Sequence, residues 1–231
     1  MAGYELYVII TAVLLLSGVA LWSLTAYHMS PSSQGLHISD AKRRPVETSR
    51  FSKQAIFNSA LSFTLIYGTA YLLHDVAFTP APAPLWRVLL EPVGILLFYD
   101  FMYYLLHRYP FHEWGVLKKV HAVHHTIKHP NALDSLWLHP VENFLGIALM
   151  WFAVFVWSRV FGPLSVYTFG VVFLAYSLIN IVVHMGFHFE GTMRVFSYLG
   201  ERHYKHHASM KAGNFANLFP FYDMVFGSEE A

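Results

Sequence analysis

Long uncharged stretches dominate the hydrophobic pattern of this chain. Residues 6–27 and 55–73 carry no formal charge, and each is long enough to cross the hydrocarbon core of a bilayer as a helix. Residues 86–106 form a third helix candidate, which Arg87, Glu91 and Asp100 weaken. Because the first stretch lacks a basic leader and a clear small-residue cleavage site, we interpret it as a membrane anchor.

The last apolar stretches are 143–158 and 160–183, separated by Arg159 and broken at Gly162 and Pro163. Two full crossings and a shallower hairpin both fit this pattern. The prolines of 79–84 predict a turn between the second and third helices.

Composition places these helices in one membrane-embedded unit. The mean hydropathy is +0.41 and only 13% of the residues are charged, which differs from ordinary soluble domains. The absence of cysteine excludes disulfides, thiolate zinc sites and iron–sulfur clusters. A net charge of +1 gives no reason to expect a nucleic acid partner.

Basic residues orient the predicted spans. A polar stretch at 28–53 follows the first helix, and its basic residues are Lys42, Arg43, Arg44, Arg50 and Lys53. If this stretch is cytoplasmic, alternate crossings leave only Arg87 and Arg159 on the far side. We therefore expect an external N-terminus and a cytoplasmic C-terminus. The small size of the chain leads us to expect a bacterial inner membrane.

Histidines are the main candidates for chemistry, because ten of the fifteen fall into four tight clusters. The clusters are His107 with His112; His121 with His124 and His125; His184 with His188; and His203 with His206 and His207. Buried unpaired imidazoles cost free energy, and a metal ion is their usual shared partner. Ten imidazoles exceed the capacity of one ion, so the sequence predicts two, with about five nitrogens each.

Helical spacing supports this interpretation. Residues at i, i+3 and i+4 share one helix face. The clusters at 121–125 and 203–207 therefore each predict three histidines directed at one spot. His184 and His188 are likewise predicted to form a pair on one face. Pro110 is expected to end the helix that carries His107, which lets His112 turn back. Any one cluster alone is compatible with ordinary core histidines. His28, His37, His74 and His129, outside the clusters, are expected at the surface, in loops or at interfaces.

The clusters resemble those of the fatty acid hydroxylase/sterol desaturase superfamily of membrane di-iron oxygenases. Residues 138–142 (LHPVE) and the closing segment 214–228 extend the resemblance, which covers about residues 55–228. It implies an all-α fold, with a multi-pass helical bundle under a cytosolic histidine-rich cap that holds two metals through the ten histidines. We accordingly expect an N-terminal anchor and basic loop at 1–54 and an oxygenase domain at 55–231.

The resemblance also implies the reaction. Members hydroxylate or desaturate C–H bonds of lipids such as fatty acyl chains or sterols, using O2 and two electrons; carotenoid hydroxylases and alkylglycerol monooxygenases are alternatives within it. We expect two Fe ions, since zinc lacks the redox chemistry but can occupy the same nitrogens after purification. Without a fused redox domain, electrons are expected from a separate ferredoxin or cytochrome b5 type donor.

Several polar residues are candidates to support the ligands by accepting imidazole N–H bonds. They are Asp100, His139, Asn214 and Asp223. Glu142 is a further candidate, for which a helix cap or a solvated charge is the favoured interpretation.

Two other function classes compete with an oxygenase. A membrane metal transporter should place ionisable residues deep within its spans, whereas these clusters lie at span ends. A zinc hydrolase is disfavoured because no H-E-x-x-H is present and ten ligands are too many.

Overall fold

The computed structural model describes residues 2–39 and 45–230. Three of the basic residues used to orient the spans, Lys42, Arg43 and Arg44, lie outside the described residues. Within the described part there are eight α-helices. They are α1 (Ala2–His28), α2 (Thr48–Ala77), α3 (Leu85–Leu106), α4 (Gly115–His121), α5 (Pro140–Phe161), α6 (Val166–Val182), α7 (Arg194–Ala208) and α8 (Phe221–Val225).

Four of these helices, α1, α2, α3 and α5, are long and apolar enough to cross a membrane. They match the uncharged stretches of the sequence, so the predicted all-α membrane bundle is confirmed. Helix α6 has 17 residues, which at 1.5 Å per residue extend about 26 Å, slightly less than a bilayer core. The predicted domain boundary at residue 54 falls inside α2.

The bundle packs α1 against α6, α2 against α5, and α3 against both α5 and α6. Leu6, Ile10 and Val13 of α1 are buried, and their spacing places them on one helix face. Opposite them, α6 approaches closely at Gly170, where an added Cβ would lie 2.8 Å from Ile9 Cγ2. The core therefore continues across the membrane helices.

The charges that weaken the third helix in the sequence are each satisfied in the structure. Arg87 donates to Glu91 Oε1 from Nε at 2.9 Å and from Nη2 at 2.6 Å, so these two charges neutralise each other one turn apart. Asp100 accepts backbone N–H bonds from residues 217–219 at 2.8 to 3.1 Å. Helix α3 is thus a candidate membrane span despite its charges.

Two very short strands tie the bundle together at one end. Strand β1 (Phe78–Thr79), at the start of the proline segment, pairs in parallel with β2 (Leu164–Ser165). Gly162, with φ at 90°, turns the chain between α5 and β2; this left-handed region favours glycine.

Candidate metal centre

Histidines gather in two buried groups at the end of the bundle opposite the β1–β2 pair. Within each group every residue offers a nitrogen, and these nitrogens all lie within 4.8 Å of one another. The first group, the five-histidine group, is His107, His112, His121, His125 and His206. The second, the four-histidine group, is His124, His184, His203 and His207. Nine of the ten predicted ligands are brought together.

The His107–His112 pair follows α3 through a wide helical turn. Residues His107–Phe111 form a π-helical turn that contains Pro110, so the helical segment ends one residue after the proline, close to where the sequence predicts its end. Pro110 has no N–H to donate to an α-helical bond, and the chain widens by one residue per turn, a geometry frequent at functional sites. This turn places both histidines in the five-histidine group.

Each predicted triplet is shared between the two groups. His121 and His125 belong to the five-histidine group, whereas His124 belongs to the other. In α7 the division repeats, since His206 joins the five-histidine group while its neighbours at 203 and 207 join the second. The prediction that a triplet points at one spot is therefore wrong, because successive residues on a helix point about 100° apart.

His188 is the one predicted ligand that lies apart. Helix α6 ends at Val182, and Gly186 adopts φ 70°, so the predicted helical pairing of His184 with His188 is absent. The His188 side chain is 53% exposed and donates from Nδ1 to the Glu201 carboxylate.

Backbone carbonyls fix most of the imidazole rings. Six rings bind a carbonyl oxygen through Nδ1 at 2.7 to 2.9 Å. The pairs are His107 with Phe215, His112 with Met210, His124 with Trp137, His184 with Asn180, His206 with Gly213, and His207 with Ile127. Because a carbonyl only accepts, the proton of each neutral ring is on Nδ1 and the Nε2 lone pair is free.

The Nε2 atoms of each group face one another. His121 Nε2 lies 2.9 Å from His107 Nε2 and 3.0 Å from His125 Nε2. In the second group His203 Nε2 lies 2.9 Å from His184 Nε2 and 3.0 Å from His207 Nε2. In His107 and His121 an acceptor holds the proton on Nδ1, so their facing Nε2 lone pairs repel unless a cation lies between them. His112 Nε2 is buried with no hydrogen-bond partner. The donor set therefore fits a metal ion in each group.

Burial keeps the histidines in the form that binds metal. Desolvation lowers the pKa of His112 to about 4, and the nearby His121 adds to the effect. Desolvation lowers the pKa of His121 to about 3 and, with a further contribution from His124, that of His184 to about 3. The pKa values of the histidines at 203, 206 and 207 are also lowered, mainly by burial. These rings are neutral at neutral pH, as a metal ligand must be.

Glu142 supports the five-histidine group, a role that the sequence analysis considered but ranked below a helix cap or a solvated charge. It lies in the first turn of α5, is 5% exposed, and accepts a 2.7 Å hydrogen bond from His121 Nδ1. A carboxylate behind a ligating imidazole fixes its orientation and raises its basicity. The available signal was a lone acidic residue at the head of an apolar helix beside the histidine clusters.

We expect Glu142→Gln to weaken metal binding about 10- to 100-fold, the usual cost of losing such a support. Glutamine keeps an oxygen for the His121 N–H but removes the charge. Glu91→Gln is the matched control, because Glu91 is a buried glutamate of α3 that pairs with Arg87 instead of a histidine. Metal affinity is measured by competition with a chelator, and equal affinities for Glu142→Gln and the wild type would contradict the role.

The other supporting candidates act through the backbone, so the predicted imidazole contacts are wrong. Asp223 accepts N–H bonds from Phe215 and Ala216 at 2.8 and 2.9 Å, and Asp100 holds residues 217–219. These bonds fix the segment whose carbonyl at residue 215 binds His107.

The last two candidates, Asn214 and His139, bind backbone groups. Asn214 donates to the Arg202 and Glu230 carbonyls at 3.2 Å, and His139 caps α5 by accepting from Val141 N at 3.2 Å.

The histidines outside the clusters make other contacts. The rings of His28 and His37 stack at 4.2 Å, His74 pairs with the neighbouring Asp75 at 3.1 Å, and His129 contacts the Tyr204 hydroxyl. None of these four belongs to either histidine group in the described part of the chain.

A cavity of about 330 Å³ adjoins both groups. Five of the grouped histidines line one end, and they are His107, His121, His124, His184 and His203. From there it extends between α1, α2, α3, α5 and α6 to apolar side chains such as Phe173 and Ile147. The two candidate metal sites thus open onto a space within the membrane bundle.

Comparisons with known proteins give a consistent result. A family model described as fatty acid hydroxylase matches residues 92–228. Methylsterol monooxygenase 1 of Rattus norvegicus is 27% identical over 191 residues, and that of Gallus gallus is 28% identical over 191 residues. Each alignment covers 77% of this chain and 60% of the relative.

The corresponding Danio rerio protein is 24% identical over 184 residues, covering 77% of this chain and 61% of the relative. The chain thus spans about three fifths of the length of these curated relatives. No solved structure matches significantly.

Proposed function

The chain belongs to the fatty acid hydroxylase family, and on this premise we propose that it is an integral membrane oxygenase that hydroxylates or desaturates a C–H bond of a lipid. The observation that carries the proposal is the pair of buried groups of neutral imidazole nitrogens at the end of a cavity inside the membrane bundle. Metal ligands that line a cavity within the membrane bundle suit a substrate that is dissolved in the bilayer.

We propose two iron ions as the resident metals, one in each histidine group. Iron bound by neutral imidazoles supplies the redox chemistry that activates O2, which zinc does not. The chain's own residues hold and orient the site: six carbonyls and Glu142 fix the rings. His188 stays a proposed tenth ligand, because its Nδ1 bond to Glu201 leaves Nε2 free to bind a metal.

The substrate and partners follow from the family and the relatives. O2 and a membrane lipid are the proposed substrates, and the names of the relatives favour a sterol over a fatty acyl chain. A separate ferredoxin or cytochrome b5 type protein is the proposed electron donor. The proposed orientation keeps the histidine face cytoplasmic. Relatives from rat, chicken and zebrafish give no support to the expected bacterial inner membrane.

Isotope labelling tests the reaction. Membranes that contain the protein, iron and a reductant are supplied with ¹⁸O2, and their lipid extract is compared with one from membranes without it. We expect a new lipid whose added oxygen is two mass units heavy, or a lipid lacking two hydrogens. Label from water would indicate hydrolytic zinc chemistry instead, and unchanged lipids with metal uptake into vesicles would indicate a transporter.

A further inference from the structure

The cavity beside the histidines is walled on one side by helices outside the matched family region. The family model begins at residue 92, whereas α1 and α2 precede it and line the cavity with residues 14–21 and 58–66. The route by which a substrate reaches the cavity is therefore built by a part of the chain that the family match leaves undescribed.

At the end of the cavity near the histidines, α2 packs against the loop before α5 and leaves no opening there. Near the start of α2, Phe51 and Ala55 pack with Ile127 and Trp137 in a small buried cluster. One turn further, Asn58 donates from Nδ2 to two carbonyls of the loop before α5, those of residues 136 and 138, at 3.2 and 2.9 Å. These contacts seal α2 against the loop that carries the histidines.

The membrane side is open instead. Gly18 of α1 and Phe63 of α2 both line the cavity, and both are exposed. Farther from the histidines the two helices are joined, since Thr11 Oγ1 lies 2.8 Å from the Tyr67 hydroxyl. The gap between α1 and α2 thus lies between this link and the sealed end.

The position of the gap along α1 decides whether lipid or water can reach it. Gly18 precedes the end of α1 at His28 by ten residues, which corresponds to about 15 Å along a helix. The His28 end is the histidine end, because the His28 ring packs at 5.3 Å from that of Phe187, close to His184. A gap about 15 Å below this end lies within a hydrocarbon core of about 30 Å, where lipid and not water has access.

From these observations we infer that the lipid substrate enters laterally from the bilayer through an opening between α1 and α2. This opening, which we call the doorway, is bordered by Gly18 and Phe63. The inference rests on the proposed function and adds the route. Glycine matters here because a Cβ at position 18 would meet no protein atom within 4 Å. Added bulk therefore projects into the doorway without a clash in the protein.

The series Gly18→Ala, Gly18→Leu and Gly18→Phe tests the doorway. Every replacement has a higher helix propensity than glycine, so loss of folding does not explain a loss of activity. We expect a graded fall in oxygenated lipid, reaching at least tenfold for phenylalanine, with unchanged metal content and Tm.

The control series makes the same changes at Gly68 of α2, where a Cβ also meets nothing within 4 Å but which does not line the cavity. These variants should retain wild-type rates. If Gly18→Phe makes product as fast as Gly68→Phe, the doorway is wrong while the oxygenase proposal stands.

Photolabelling provides a measurement that does not depend on turnover. Membranes are treated with a diazirine sterol and, separately, a diazirine palmitic acid, and the labelled peptides are mapped by mass spectrometry. We expect at least one probe to label residues 14–21 and 58–66, and Gly18→Phe to reduce that label about tenfold. Absence of label there, or label that Gly18→Phe does not change, would overturn the inference even if no oxygenated lipid were found.

Discussion

Replacing His121 with alanine is expected to remove most of the bound metal and to lower activity at least ~100-fold, since even an indirect support of a ligand is worth up to that factor. His121 is fully buried, and its Nε2 is within 3.0 Å of two other Nε2 atoms of the five-histidine group. Its loss opens the site and leaves Glu142 without its partner.

His129→Ala is the matched control, because this histidine contacts Tyr204 and belongs to neither group. Metal content per chain and lipid oxidation should both stay near wild type. His188→Ala adds a graded test: a loss of metal equal to that of His121→Ala would make it the tenth ligand. Full metal retention in His121→Ala would contradict the proposed five-histidine site.

Sequence spacing was enough to predict the membrane helices and the gathering of nine clustered histidines, while the number of metal ions stays a prediction. Both follow from local rules, because uncharged length sets a span and histidines four apart, such as His203 and His207, meet on one helix face. The spacing did not predict how each triplet divides between two sites, since that depends on how α4 and α7 approach each other. It also missed the π-turn at Pro110, where tertiary contacts hold a widened helix.

The supporting residues were the least predictable part of the site. Asp100 and Asp223 were candidates to bind imidazoles and instead bind backbone N–H groups. Glu142, for which a helix cap or a solvated charge was favoured, binds His121. Carboxylate type and spacing do not distinguish these roles. The distinction is made by the segment 213–219, whose position depends on contacts more than a hundred residues apart in sequence.

Acidification of the metal-free protein below pH 6.5 is expected to lower its stability, because the buried histidines resist protonation in the folded state. The pKa of His112 is lowered to about 4 and those of His121 and His184 to about 3, whereas in the unfolded chain each titrates near 6.5. Below pH 6.5 the unfolded chain therefore binds more protons than the folded one. The stability from these neutral rings is complete above pH 6.5 and declines as the pH falls.

The free energy of unfolding declines steeply with falling pH because the contributions of the three histidines add. Each buried histidine removes up to ~1.4 kcal/mol of unfolding free energy per pH unit, so these three remove up to ~4 kcal/mol per unit together. The Tm of the chelator-treated protein in detergent, measured from pH 7 to 5, should fall accordingly. Protein reloaded with iron should resist the fall, since protons must first displace the metal from the same nitrogens. A Tm that is constant from pH 7 to 5 without metal would show that the rings are not held neutral by burial.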